Sequence, residues 1–113
     1  EPSTLRQMIS IDDFQKVEIR AGKILSVDLV EGSEKLLKLS VDFSEERPRQ
    51  VISGIRKYFE DPQPLVGTTC AFVTNLEPRE IMGLKSEAMI MAASSEEFFT
   101  LLQMNCPPGS KVK

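Results

Sequence analysis

The strongest constraint on the fold is a strict alternation of apolar and polar side chains near the middle of the chain. Every second residue from 37 to 43 is apolar, and the intervening residues are polar or charged. A period of two places the apolar side chains on one face of a β-strand, so this segment predicts a half-buried strand. Glycine, proline and acidic residues predict turns on both sides of it, at residues 31–33 and 44–48.

Four other segments have the residue pattern of strands. They comprise residues 16–24, 49–55, 68–76 and 86–94. Gly22 interrupts the first of them, which predicts a bulge or a sharp bend. Between the third and fourth strands, Pro62 and Pro64 exclude a long helix but allow a short one. The pattern therefore predicts an all-β fold, a five-stranded OB-fold Greek-key barrel with a short connector helix and a C-terminal extension.

Both ends of the chain lie outside this barrel. We expect residues 1–8 to be the end of a linker, residues 9–94 to be the barrel domain and residues 95–113 to be an extension. The extension must dock either on its own barrel or on a second copy. Ser10 and Asp13 form a capping pattern, which predicts a helical turn.

Apolar side chains crowd the two ends of the chain and predict a two-fold dimer interface. The alternative is that they complete the core of the monomer. These residues are Ile9, Phe98, Phe99, Leu101 and Leu102.

The residue types in the chain exclude most catalytic and metal-binding templates. There is no histidine, which removes the commonest general base and the usual zinc ligand. Cys70 and Cys106 have no metal-binding spacing and predict free thiols. No phosphate-binding glycine loop occurs, and no apolar run approaches the ~18–20 residues of a membrane-spanning helix. We therefore expect a non-catalytic, cytoplasmic module without metal, cofactor or membrane partner.

Charge is distributed unevenly along the chain. The net charge is −3, yet residues 35–57 carry six basic and three acidic side chains, while the segments on either side are acidic. A local basic patch can hold phosphates even on an acidic protein. The alternative is a set of solvated strand faces that have no partner.

Five stretches of the chain resemble, in order, the motifs of a single family. They are residues 14–24 (FQKVEIRAGKI), 31–39 (EGSEKLLKL), 49–55 (RQVISGI), 73–79 (VTNLEPR) and 86–93 (SEAMIMAA). The set resembles the tRNA-binding domain shared by several aminoacyl-tRNA synthetases and by stand-alone tRNA-binding proteins. It is most similar to the C-terminal domain of bacterial methionyl-tRNA synthetase. The resemblance implies a homodimeric OB-fold that helps to hold tRNA. One departure is Ala88, where the family usually has glycine.

If tRNA lies across the open face of such a barrel, outward-pointing basic side chains would hold its phosphates. The candidates are Arg20, Lys35, Lys38, Arg49, Arg56, Lys57 and Arg79. Three polar residues of the motifs are further candidates for RNA contact, namely Asn75, Ser53 and Ser86. Each has a structural alternative: the amide could tie down a turn, and each serine could make a local hydrogen bond.

A second class of function remains open, because a chaperone-like relative of the same barrel family exists and the net charge is negative. The chain would then be a peptide-binding or assembly module. RNA binding predicts a steep dependence on salt, whereas peptide binding predicts an apolar groove and a weak response to salt. With no Trp and one Tyr, we expect RNA to be recognised through phosphates and shape more than through base stacking.

Overall fold

The computed structural model describes residues 7–113, in which β-strands dominate. The elements are α1 (Ile11–Phe14), β1 (Ile19–Leu29), β2 (Leu37–Asp42), β3 (Arg49–Ser53), β4 (Thr69–Val73), β5 (Arg79–Ile81), β6 (Leu84–Ser86), β7 (Met89–Ile90), β8 (Ala92–Ser94) and β9 (Phe99–Leu101). Two single 3₁₀ turns, Arg56–Tyr58 and Gln63–Leu65, occupy the connector between β3 and β4. None of the helices within the described residues is long and apolar enough to cross a membrane.

Five strands form a nearly closed antiparallel barrel. Their order is β3-β2-β1-β4-β7, in which β4 returns to lie beside β1, as in a Greek key. The edge of β3 that faces away from β2 is hydrogen-bonded to Ser86 and Glu87. Glu87 N donates to Gln50 O at 2.8 Å, and Ile52 N donates to Ser86 Oγ at 3.0 Å. The predicted all-β, five-stranded OB-type barrel is therefore confirmed.

The alternation in β2 places its apolar side chains in the core of the barrel. Leu37, Leu39 and Val41 are fully buried there. Phe43 packs edge-on against Phe72, with ring centroids 5.2 Å apart. The polar residues between them remain partly exposed on the outer face, which is the half-buried strand that the sequence predicts.

Gly22 serves the packing of this core and does not form the predicted bulge. The irregularity in β1 lies between Ile24 and Ser26, whereas Gly22 keeps a regular register with β4. A Cβ at Gly22 would lie 2.6 Å from side-chain atoms of both Phe43 and Val41. The glycine is therefore needed because the core leaves no room for a methyl group.

The segment predicted as one fifth strand, residues 86–94, is divided among β6, β7 and β8. β7 pairs with β4, while β8 pairs with β9. β5 and β6 form a further hairpin that the sequence does not predict. Its turn is Met82-Gly83, with φ angles of 51° and 78°. Such turns usually carry Asn-Gly or Asp-Gly. Because methionine is at the first position here, the sequence does not indicate a hairpin turn.

Both ends of the described chain are fastened by hydrogen bonds. Ser10 Oγ accepts from Asp13 N at 3.0 Å, which caps α1 and confirms the predicted helical turn. The extension docks on its own barrel, because Gly109 N donates to Ala21 O at 2.7 Å and Ala21 N donates to Ser110 O at 2.8 Å. The predicted boundary after residue 94 stays a prediction, as does the linker, which lies largely outside the described residues.

Candidate nucleic-acid interface

Basic side chains gather where β2 begins and β3 ends. Ser33 Oγ accepts from the backbone N–H groups of Lys35 and Leu36, each at 3.1 Å, which fixes the turn before β2. Arg56 lies beside this turn: its N–H donates to Lys35 O at 3.1 Å, and its guanidinium donates to Ser33 O. Lys57 follows on the same 3₁₀ turn, and the side chains of Lys35 and Lys57 are exposed. Three predicted phosphate ligands therefore come together at one end of the barrel.

Ser53 connects this corner of the barrel with Arg79. On β3, Ser53 pairs with Leu37, which lies two residues beyond Lys35. Ser53 also lines a surface pocket together with Arg79 of β5. We group these residues under the name basic face, namely Lys35, Ser53, Arg56, Lys57 and Arg79. Glu77 lines the same pocket as Ser53 and Arg79.

A second concentration of basic side chains lines a groove of about 600 Å³ on the outer side of β1, β2 and β3, which we call the strand groove. Its charged residues are Lys38, Arg47, Arg49 and Lys85, with Asp28 and Glu87 of opposite sign. The sequence-based candidates include Lys38 and Arg49, with Lys85 in a second rank, but omit Arg47. Arg47 comes from the loop after β2, and Lys85 comes from the hairpin that the sequence does not predict.

Arg49 is held within the barrel wall by its neighbours. Its guanidinium donates to both carboxylate oxygens of Glu45 at 2.8 Å, to Thr74 O at 2.7 Å and to Glu87 O at 3.2 Å. It also lies 5.3 Å from the ring centroid of Phe43. The hydrogen bond from Arg49 holds the pKa of Glu45 below its usual value, and the same pair raises the pKa of Arg49. Because four of its five N–H groups are used, Arg49 has a structural role in the barrel wall, and its role as a phosphate ligand stays a prediction.

Arg20 and Arg47 are also paired with carboxylates. Arg20 Nε lies 3.2 Å from a carboxylate oxygen of Glu18, and Arg20 Nη1 lies 3.9 Å from one of Glu45. The Nε contact is a close charge pair without an aligned hydrogen bond. Arg47 donates to both carboxylate oxygens of Glu87, at 3.1 and 2.7 Å, which lowers the pKa of Glu87. A phosphate that binds Arg20 would have to compete with these carboxylates, and the role of Arg20 as a phosphate ligand stays a prediction.

Asn75 and Ser86 follow the structural alternative that the sequence leaves open. Asn75 Oδ1 accepts from Glu18 N at 2.8 Å and its amide donates to Lys16 O, so Asn75 ties the segment after α1 to the barrel. Ser86 is buried, and its hydroxyl accepts from Ile52 N at 3.0 Å. Asn75, by contrast, is exposed and keeps one amide N–H outside these hydrogen bonds. The RNA contact predicted for the two residues stays a prediction.

Five of the predicted phosphate ligands have no carboxylate within 4.0 Å in the part of the chain that the structure describes. They are Lys35, Lys38, Arg56, Lys57 and Arg79. Four belong to the basic face, and Lys38 belongs to the strand groove. The basic face is therefore the surface where uncompensated positive charge is available to a polyanion.

Apolar side chains are left uncovered around α1, which buries none of its residues. The exposed ones there are Met8, Ile9, Ile11, Phe14 and Val17. A shallow groove of about 260 Å³ begins at Ile19, two residues further on, and is also lined by Ala71, Met91, Leu102, Met104 and Val112. We call this surface the apolar face.

The residues predicted for a dimer interface divide into two groups. Ile9 and Leu102 lie on the apolar face, and Phe98, at the tip of the β8–β9 hairpin, is 65% exposed. Leu101 is buried in the core of its own barrel, and Phe99 stacks on Tyr58 and packs against the same core. For Leu101 and Phe99 the structure therefore favours completion of the monomer's core over contact with a second copy.

The two cysteines are free, and burial raises the pKa of the Cys70 thiol. Among residues 7–113, no three Cys, Asp or Glu side chains are placed to hold a metal ion.

Comparison with known proteins places this geometry in a family. Residues 19–111 match the family profile described as "Putative tRNA binding domain". The chain is 45% identical over 107 residues to the methionine–tRNA ligase of Methanocella arvoryzae, which covers 93% of this chain and 15% of the ligase. It is 46% identical over 101 residues to the methionine–tRNA ligase of Helicobacter pylori, which covers 89% of this chain and 15% of that ligase. The chain thus spans only a small part of these curated relatives.

Solved structures with the same fold include a protein related to an aminoacyl-tRNA synthetase and a chaperone. A MetRS-related protein from Pyrococcus horikoshii superimposes with a TM-score of 0.87 at 28% identity, covering 96% of this chain and 100% of that one. The chaperone CsaA from Bacillus anthracis superimposes with a TM-score of 0.81 at 26% identity, covering 95% of this chain and 100% of that one.

Proposed function

This chain belongs to the tRNA-binding domain family, and we propose that it is a non-catalytic module with which a methionyl-tRNA ligase holds its tRNA. The curated relatives carry that ligase name, and this chain matches about 15% of their length. The rest of such a protein would supply the chemistry. A cytoplasmic location belongs to the same proposal.

The observation that carries the proposal is the uncompensated charge of the basic face. Lys35, Lys57 and Arg79 have no carboxylate partner among the described residues, while Arg20 and Arg49 are already paired. A phosphate that approaches the free cations releases counterions without first breaking an ion pair. An acidic protein can therefore present one face that attracts RNA.

The proposal is tested by measuring the binding of folded tRNA, and of an unstructured RNA of equal length, over a range of salt concentrations. The double variant Lys35→Ala, Arg79→Ala removes two free cations. It should weaken tRNA binding and lower the slope of log affinity against log salt by about two, since each phosphate contact contributes about one. The matched control is Lys111→Ala, Lys113→Ala, which removes the same charge from exposed lysines outside the basic face that have no carboxylate within 4.0 Å among the described residues.

A preference for folded tRNA that the first pair reduces and the control pair leaves intact would support the proposal. Equal losses in both pairs would mean that net charge alone governs binding. That result would contradict a specific role for the basic face.

We propose further that the module forms a two-fold dimer through the apolar face. α1 exposes Ile11 and Phe14 by 67% and 48%, and contiguous exposed apolar patches of this kind mark association surfaces. A dimer would present two basic faces to one tRNA and raise the avidity without a new type of contact. Symmetric two-fold dimers are also the commonest assembly.

Sedimentation of the double variant Ile11→Asp, Phe14→Asp tests this assembly. Two new charges on each subunit, four in the interface, should convert the dimer into monomers. Leu25→Asp is the matched control, because Leu25 is 43% exposed on β1 and lies outside the apolar face. A wild-type chain that sediments as a monomer at all concentrations would refute the dimer.

The second candidate function is peptide binding of the chaperone type. The likeness to CsaA favours it. A groove of about 330 Å³ offers four apolar side chains to a peptide, together with a glutamate and a lysine. It is lined by Leu29, Val30, Glu31, Lys38, Met82 and Leu84. Binding of an unfolded apolar peptide that is insensitive to salt, without any preference for folded tRNA, would favour this function over the first.

A further inference from the structure

Tyr58 is the only tyrosine of the chain, and it forms the outer layer of an aromatic stack. Its ring lies parallel to that of Phe99, with centroids 3.9 Å apart and 2° between the planes. Phe59 meets Phe99 edge-on at 6.0 Å, and both phenylalanines pack against the core. The stack is therefore anchored in the core and ends in a ring that is 46% exposed.

A lysine ammonium lies over the outer face of the Tyr58 ring. Because Phe99 occupies one face of the ring, the ammonium of Lys57, 5.2 Å from the ring centroid, lies over the other. Lysine is a flexible chain with a point charge at its end, so it can swing aside and keep its charge close by. A flat aromatic face beside a cation is the arrangement that single-stranded nucleic acids use, with a base on the ring and a phosphate on the cation.

We propose that Tyr58 stacks on an unpaired base of the bound tRNA while Lys57 and Lys35 hold the adjoining phosphates. This inference rests on the proposed function and adds a base contact to a face that otherwise recognises phosphates. Folded RNA offers unstacked bases in its loops and at its single-stranded end. The platform is preformed, so a base that stacks there does not have to order it first.

Charge determines the side from which the RNA backbone approaches. Arg56 on the tyrosine's own 3₁₀ turn is hydrogen-bonded to the backbone of Lys35. The tip of the β8–β9 hairpin, beyond Phe99, carries Glu96 and Glu97. The phosphates therefore pass on the side of Lys35 and away from the hairpin tip.

The competing explanation is that Tyr58 only shields Phe99 from water. Leucine at position 58 would still cover Phe99 but would offer no aromatic face to a base. Phenylalanine would restore that face without the hydroxyl. Stacking and shielding thus make different predictions for these two substitutions.

Two measurements on the whole chain test the inference. Tyr58→Leu should weaken tRNA binding about tenfold, within the range found for loss of one base–aromatic stack, and Tyr58→Phe should restore it. Val66→Ala is the control, because Val66 is an exposed apolar residue of the same connector. Secondly, fluorotyrosine incorporated at the single tyrosine gives one ¹⁹F resonance. It should shift with tRNA and not with a fully paired RNA duplex of equal length.

Failure of this inference can be told apart from failure of the proposed function. If tRNA binds with the expected salt dependence but the ¹⁹F resonance is unmoved and Tyr58→Leu binds as tightly as wild type, the stacking role is overturned while the tRNA-binding module stands. If wild-type chain binds no tRNA, both are overturned. Should Tyr58→Leu fail to fold, the comparison of tRNA with duplex on the wild-type resonance decides alone.

Discussion

Replacing Gly22 by alanine is the sharpest test of the barrel's packing. A Cβ there would lie 2.6 Å from Phe43 Cε1, 2.6 Å from Val41 Cγ1 and 2.9 Å from Phe72 Cδ1. The two rings already pack edge-on against each other at 5.2 Å, so neither can move without displacing the other. All of these neighbours are almost fully buried, which leaves no flexible side chain to give way.

Overpacking of a core in this way lowers the free energy of unfolding by about 1–3 kcal/mol, and occasionally by more. Three simultaneous contacts shorter than 3.0 Å place Gly22→Ala at the upper end, near 3 kcal/mol. The entropy of unfolding for 113 residues is about 0.24 kcal/mol/K. The melting temperature should therefore fall by about 12 °C.

Gly54→Ala is the matched control, because a Cβ at Gly54 meets nothing within 4 Å and its φ is not positive. Its stability should change by no more than about 1 kcal/mol. Thermal unfolding followed by circular dichroism, at equal protein concentration for both variants, measures the difference. A Gly22→Ala protein that melts within ~2 °C of wild type would refute the claim that the core closes on this position.

Three further predictions concern the hydrogen bonds of the barrel wall. Ser86→Ala should lower the free energy of unfolding by about 1–3 kcal/mol, because it leaves the buried Ile52 N–H without its acceptor. Ser53→Ala should leave the free energy of unfolding unchanged, and denaturant titration measures both variants. The pKa of Glu87 is lowered from its usual 4.5 by the hydrogen bond from Arg47. Its contribution to stability is therefore complete above that value and is lost as the pH falls through the lowered pKa. Glu87→Gln should reduce the loss in the free energy of unfolding that accompanies this fall in pH. Asn75→Ala should accelerate hydrogen exchange of the Glu18 amide, and unchanged exchange would show that Asn75 does not hold this segment.

The barrel could be predicted from the sequence because its strands are strongly patterned. The alternation in β2 fixes which side chains face inward, and its register with β1 and β3 follows from it. The capped turn at α1 depends only on neighbouring residues, so it could be predicted as well. The β5–β6 hairpin could not, because its turn relies on a methionine with positive φ.

The candidate site was less predictable, since a residue's type does not reveal its partners. Arg49 and Lys35 are both basic residues in family-like motifs, yet one is bound by Glu45 and the other is exposed. Glu45 lies four residues before Arg49 in a loop, and no periodic pattern indicates that contact. Likewise Tyr58 and Phe99 are distant in sequence, and only the fold brings their rings together.

The most direct test of the central claim is a lysine footprint of the chain with and without bound tRNA. Each lysine is modified chemically in both states, and mass spectrometry measures its protection. The account predicts protection of Lys35 and Lys57 on the basic face, with Lys16 and Lys113 unchanged as internal controls. Uniform protection of all lysines, or protection of Lys16 and Lys113 instead, would contradict the assignment of the basic face as the tRNA-binding surface.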